Sequence, residues 1–267
     1  MLLDFLFRHL VTLFLILLFS IMLHNQKSSR DTEQKYFWMT VLSCLLLVFQ
    51  ESLEIMASKD PSLRFWRTLL SVLGYTLHST AALGLLLVIV PREKRHVSLY
   101  IPSLITLLVS CTAFFTDIAF NYDENYSFYR GPLGYVVFIV PILYMLMILW
   151  IILRRFTESK GMWKYVIPGC VVFCLTAAIV DSLYGGIRTN EAIMISSILF
   201  YIVLHAHDNR RDPLTGLLNR KAFYDDCEMY DKSIEAAASL DMNGLKTMND
   251  SYGHHAGMRR CSESLSA

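Results

Sequence analysis

Seven apolar runs recur along the first 207 residues, at 4–23, 37–56, 68–90, 98–119, 133–153, 164–184 and 191–207. A helix needs ~20 apolar residues to cross ~30 Å of hydrocarbon, and each run has about that length. Inside a bilayer no water bonds to exposed backbone groups, so such segments are restricted to helices that satisfy their own N–H and C=O groups. The expected fold is a polytopic α-helical membrane domain of about seven spans over 1–207, followed by a separate segment over 208–267. Composition bears on this choice: 54% of residues are hydrophobic and only 18% charged, and the mean hydropathy of +0.42 exceeds that of a usual soluble domain.

The first run reads as an uncleaved span rather than a secretion signal. Asp4 and Arg8 lie near its start, and no small-x-small cleavage site precedes the polar stretch at 24–35. Basic residues set the orientation. Lys27, Arg30, Lys35, Arg92, Lys94 and Arg95 would face the cytoplasm if the C-terminus does, and Arg154, Arg155, Lys160 and Lys164 would join them; six basic residues would lie outside. The expectation is a multi-pass protein of the inner or plasma membrane, with its N-terminus outside and its C-terminus cytoplasmic.

A net charge of +1 and the absence of a dense Lys/Arg run argue against nucleic acid as a partner. The six cysteines show neither a disulfide framework nor zinc spacing. Ionisable residues within spans carry more information, because burying a charge in hydrocarbon is costly. Glu51, Glu54, Asp117, Asp181 and Glu191 all fall at the outer ends of their runs. They are candidates for an outward-facing pocket for a polar or cationic ligand, covered by the loop 121–132 with Asp123 and Glu124; the plain alternative is that they sit among lipid headgroups. His78, in mid-span, is expected to make an interhelical hydrogen bond.

After the seventh run the spacing changes character. Residues 211–223 read R-D-P-L-T-G-L-L-N-R-K-A-F, and residues 239–257 read S-L-D-M-N-G-L-K-T-M-N-D-S-Y-G-H-H-A-G. Pro213 should stop an incoming helix, Thr215 and Gly216 should turn, and a new helix should begin near Asn219. The stretch A-A-A-S-L-D then reads as a short strand with Asp241 at its tip. A carboxylate there, followed by a glycine turn, can hold a hard cation beside backbone amides that receive phosphate oxygens.

These two motifs, in this order, resemble the opening half of the GGDEF domain, the family of diguanylate cyclases. The preceding helices are similar in layout to seven-helix regions found on some bacterial histidine kinases and cyclases. The resemblance implies a truncated α/β GGDEF domain and the conversion of two GTP to cyclic di-GMP by a homodimer. It also implies Mg2+ held by the Asp241 side chain and the Met242 carbonyl. Gly244 and Leu245 would offer amides to the triphosphate, Lys246 would approach it, and Asn249 would bind guanine.

The likeness stops after Gly257. Where the family has an aspartate followed by an acidic residue and an apolar helix, this chain has Met258, Arg259, Arg260 and Cys261. Permissive codons for these residues, read one base earlier, encode Asp-Glu-Ala-Leu-Phe, so 258–267 are expected to be out of frame. The chain as written lacks the GG(D/E)EF hairpin with its second metal carboxylate, and it is expected to be inactive. The alternative reading is a seven-helix receptor or binding module without catalysis. A transporter is disfavoured by the lack of internal repeats.

Overall fold

The computed structural model describes residues 2–25, 31–155, 163–184, 189–208, 210, 212, 215, 217–230, 234–236, 238 and 243–264. It divides into two units, Met1–Tyr201 and Ile202–Ala267.

The first unit is mostly helical: α1 (Leu2–His24), α2 (Asp31–Ala57), α3 (Arg64–Ile89), α4 (Ile101–Cys111), α5 (Val136–Arg155), α6 (Trp163–Tyr184) and α7 (Thr189–Asp208), inside which the division between units falls. Five helical segments among the described residues are long and apolar enough to cross a membrane: Phe7–His24, Glu33–Ala57, Pro61–Ile89, Val97–Phe114 and Val136–Arg154. The sixth and seventh expected runs form helices whose described apolar stretches, Pro168–Val180 and Thr189–His205, are shorter.

α3 is the central helix and touches α2, α4 and α5. Its residues from Ala81 to Ile89 are all buried. The α2–α3 pair closes on small residues, as helices do where no hydrophobic effect drives them together. A Cβ on Gly84 would lie 2.3 Å from Thr40 Oγ1, and Thr40 Oγ1 donates across the pair to the carbonyl of Ala81 at 3.2 Å. The aromatic rings of Phe19, Phe37 and Tyr201 join α1, α2 and α7 edge to face, with centroids 5.4–5.6 Å apart. Outward side chains such as Phe14, Leu17 and Trp150 remain exposed, as a lipid-facing surface requires.

Between α4 and α5 the chain forms a hairpin of β1 (Phe120–Tyr122) and β2 (Phe128–Arg130), antiparallel with Asn121 opposite Tyr129. Here the expectation is corrected. The fourth span does not reach 119, because α4 gives way to a 3-10 turn at Thr112–Phe114. The Thr112 hydroxyl bonds to the Val109 carbonyl at this point, and such local competition weakens a helix end. Gly131 and Gly134 let the hairpin return close to its own entry: a Cβ on Gly131 would meet the Asp117 carbonyl at 1.9 Å, and one on Gly134 the Ala119 carbonyl at 2.3 Å.

The second unit contains α8 (Arg220–Tyr230), α9 (Leu245–Tyr252) and α10 (His254–Ser264). Asn219 caps α8, its Oδ1 accepting the Ala222 amide at 2.9 Å. Asp212 Oδ1 accepts both the amide and the hydroxyl of Thr215, and Arg210 pairs with Asp226. Of the expected strand before Asp241, residues 234–236 and 238 are irregular, and 239–242 lie outside the described residues. Gly244 and Gly253 bound α9 with φ of +76° and +80°, the left-handed region that suits glycine.

Candidate functional site

The first unit has a partly open cavity of about 810 Å3, within the size range of small-molecule sites. Its walls come from α1, α2, α3, β2, α5, α6 and α7. α2 supplies Gln50 and Glu51 on one turn and Glu54 on the next, and α3 answers with Ser71, Tyr75 and His78. Arg8 comes from α1, Phe128 and Arg130 from the hairpin, and Asn190 from the first turn of α7. Pro141 also lines it; having no N–H, it cannot bond to the carbonyl of Val137, which lies on the same wall.

Glu54 is the centre of a polar chain. Gln50 Nε2 donates to its Oε2 at 2.6 Å, and Ser71 Oγ donates to its Oε1 at 2.8 Å. The single Ser71 proton is thereby used, so the 3.0 Å contact between Ser71 Oγ and Tyr122 is a bond donated by the Tyr122 hydroxyl. Both carboxylate oxygens thus have a neighbour. Gly74 makes the arrangement possible: a Cβ there would lie 3.0 Å from the Gln50 amide. Burial pushes the Tyr122 phenol above its ordinary range, while the Ser71 bond and the Arg67 charge act the other way.

Above this chain Arg67, only 8% exposed, is held between two rings. Its guanidinium carbon lies 4.2 Å from the centroid of Tyr122 and 4.6 Å from that of Tyr126, and its Nη1 donates to the Tyr126 carbonyl at 2.6 Å. Tyr126 has a φ of +63°, uncommon for a residue with a side chain.

Two polar atoms in the cavity wall have no hydrogen-bond partner of good geometry, although the Arg130 side chain comes near the Tyr75 hydroxyl. The Tyr75 hydroxyl and Asn190 Oδ1 are both buried, on residues 9% and 8% exposed. Native interiors leave few such groups unpaired. Arg8 and Arg130 make no ion pair among the described residues; Arg130 packs on the rings of Phe128 and Phe138.

The acids named from the sequence divide accordingly. Glu51 and Glu54 line the cavity. Asp117 does not: it lies past the end of α4, exposed, where it accepts from Asn121 Nδ2 and from the Tyr129 hydroxyl. Glu191 accepts from Thr12 Oγ1 at 3.3 Å and is not a wall residue, although its neighbours Thr189, Asn190 and Ile193 are. Asp181 belongs to α6, and its side chain lies outside the described residues; Ala178, one turn earlier, lines the cavity. His78 pairs its Nδ1 with the Gly74 carbonyl of its own helix at 2.8 Å. Asp123 and Glu124 are exposed in the hairpin turn, and it is Phe128 and Arg130 that reach the cavity.

Sequence reading missed Tyr75, Asn190, Gln50 and Arg130. Gln50 was the findable one, an uncharged polar residue in an apolar run one helical turn before Glu54.

In the second unit Asp241 and Met242 lie outside the described residues. Gly244 forms the cap of α9, Leu245 begins the helix half-buried, and Lys246 is exposed. Asn249 Oδ1 is buried without a partner. Among the described residues no three His, Cys, Asp or Glu side chains gather as a metal site. No protein-family model, no curated protein and no solved structure matches the chain.

Proposed function

We propose that this chain is a membrane sensor that binds a small polar ligand in the cavity of its helical unit and passes the signal to a cytoplasmic segment of the diguanylate cyclase family. The ligand-binding half is carried by one observation: two buried, unpartnered polar atoms, Tyr75 Oη and Asn190 Oδ1, line a cavity that also holds two carboxylates. An unpaired buried acceptor costs about 1–3 kcal/mol, which a ligand donor would offset.

In this reading seven spans place the hairpin end outside and the opposite end in the cytoplasm. The positive-inside tendency supports that orientation. Arg95 and Lys35 meet over the ring of Tyr36 at the end remote from the hairpin, with Arg92, Lys94 and Arg154 in the same set of loops and helix ends.

The signalling half rests on the two motifs at 211–223 and 239–257. As the opening of an α/β GGDEF domain, this segment would hold Mg2+ through Asp241 and the Met242 carbonyl, and would meet GTP through Gly244, Leu245, Lys246 and Asn249. The unpartnered Asn249 Oδ1 is compatible with a base-recognition role. A receptor that only binds is the second reading.

A thermal-stability screen of small polar metabolites against the purified chain in nanodiscs tests the sensor reading. Compounds that stabilise the parent and fail to stabilise the cavity-filling variant Ala178→Trp support it; an absence of any such compound removes it. Binding of GTP with Mg2+, lost in Lys246→Ala and Asn249→Ala, would support the cyclase ancestry, and nucleotide binding unaffected by both variants would count against it.

A further inference from the structure

Gln50, Glu54, Ser71 and Tyr122 form one hydrogen-bonded chain from α2 through α3 to the hairpin, and only Glu54 in it titrates in the acid range. We propose that Glu54 is a proton-binding site whose protonation loosens the hairpin from α3, which makes this end of the protein a sensor of acid whether or not the cavity holds a guest.

The chain has two forms. With Glu54 ionised, Gln50 Nε2 donates to Oε2, Ser71 donates to Oε1 and Tyr122 donates to Ser71. Glu54 is half-buried and lines the partly open cavity, so a proton can reach it from solvent. The Gln50 amide nitrogen can only donate, which keeps Oε2 an acceptor and places an added proton on Oε1. That proton then points at Ser71 Oγ. A serine hydroxyl has a single proton, so Ser71 must turn its own toward the Tyr122 oxygen, and the Tyr122 proton must leave Ser71. One proton is taken up, and the direction of every bond from Glu54 to the hairpin reverses.

Charge acts in the same sense. Arg67 is buried, and its contacts run to two rings and a carbonyl, none of which carries a negative charge. Its Nε has no hydrogen-bond partner. Arg67 and ionised Glu54 attract one another. Protonation removes that counter-charge, and a buried charge without one is destabilising. Arg67 and Tyr122 are the two side chains that tie α3 to β1, and both lose support from the same event. The docked hairpin thus binds fewer protons than the loosened one, so docking weakens as pH falls.

Other charged and titratable groups surround this carboxyl. Glu51 on the same helix repels its charge, and Tyr75 and Tyr122 also act on it. Arg8, His78 and Arg130 share the cavity wall, and His9 of α1 bonds to Ser52 of α2. Arginines keep their charge and phenols titrate in alkali, which leaves Glu51, His78 and His9 as rivals among the described residues.

The experiment is hydrogen exchange of the full chain in nanodiscs from about pH 8 to about pH 4, the span in which a partly buried carboxyl titrates. Protection factors remove the intrinsic pH dependence of exchange. Protection of 120–130 is expected to fall by about tenfold or more with acid, the factor that ~1.4 kcal/mol represents, while 81–89 in the α2–α3 contact stays protected. Glu54→Gln should show the low protection at every pH. Glu51→Gln, His78→Gln and His9→Gln should keep the fall. Gln50→Met retains the acid and removes one N–H from its ionised form, so it should move the midpoint to higher pH; it tests the assignment even where Glu54→Gln fails to fold. A hairpin whose protection ignores pH would overturn the proposal, as would a parental fall in Glu54→Gln, loss of the fall in a rival's variant, or an unmoved midpoint in Gln50→Met.

Discussion

Arg67 and Tyr122 are joined face to charge, with the guanidinium carbon 4.2 Å from the ring centroid, so that the start of α3 is tied to the first strand of the hairpin. Tyr126 adds a second ring at 4.6 Å and accepts from Nη1 through its carbonyl. Arg67→Met keeps the stem and removes the charge, both ring interactions and the hydrogen bond. It is expected to lower stability by ~1–3 kcal/mol and to increase amide exchange in 120–130. Arg67→Lys should recover only part, because an ammonium lacks the planar fork. Thermal unfolding in detergent with hydrogen exchange provides the check; unchanged exchange in the hairpin would contradict the assignment.

The Gly84 position leaves no room for a methyl group. A Cβ there would meet Thr40 Oγ1 at 2.3 Å and the Tyr36 carbonyl at 3.1 Å. Gly84→Ala should therefore destabilise by roughly 1–3 kcal/mol through overpacking. Adding Thr40→Ala removes the nearer obstacle, and the double variant should be less destabilised than the sum of its parts. A double-mutant cycle on unfolding free energies measures that coupling, and simple additivity would show that the helices can separate at no cost.

Ser71 holds two neighbours at once, Glu54 and Tyr122. Ser71→Ala leaves both without that partner and should cost ~1–3 kcal/mol. Ser71→Thr keeps a hydroxyl and should cost less. Unfolding midpoints of the two variants separate loss of the hydroxyl from change of volume.

Tyr122 should make the protein sensitive to alkali. Burial raises its folded-state pKa above the unfolded value of about 10. The stability linked to its protonated form is thus fully present below the unfolded pKa and is lost as pH rises through the folded one. Tyr122→Phe cannot ionise, so its unfolding curve should lose the Tyr122 contribution to the alkaline decline. A variant that declines as steeply as the parent would place the sensitivity elsewhere.

Asn219 is the N-cap of α8. Asn219→Ala should weaken that helix by about 1 kcal/mol, and Asn219→Ser should restore most of it. Exchange of the Ala222 amide reports the change directly.

The helices were legible because bilayer thickness imposes a length, and the apolar runs declare that length whatever their packing. Glu51 and Glu54 were legible for the same reason, being charges in an apolar setting. Asp117 misled because run length alone placed α4 too far; Thr112 and Thr116 turn the chain out before the acid is reached. Tyr75 and Asn190 were not legible at all. Tyrosine and asparagine are ordinary near helix ends, and only the absence of a partner sets these two apart, which is a property of three-dimensional placement. Asn219 was legible because its capping chemistry is local. Asp241, by contrast, owes its expected role to a resemblance, and the described residues carry no geometry for it.

One ring carries a mechanical consequence. Tyr36 receives Lys35 at 5.2 Å and Arg95 at 4.8 Å, and a few residues on, Thr40 bonds across to Ala81. The start of α2 and the exit of α3 are thus riveted together. At their other ends the same two helices stand on either side of the cavity, joined through Gln50, Glu54 and Ser71. In the proposed sensor, a guest that drew on Glu54 would pull on the ends of α2 and α3 remote from the Tyr36 junction, so that junction would act as the fulcrum between them.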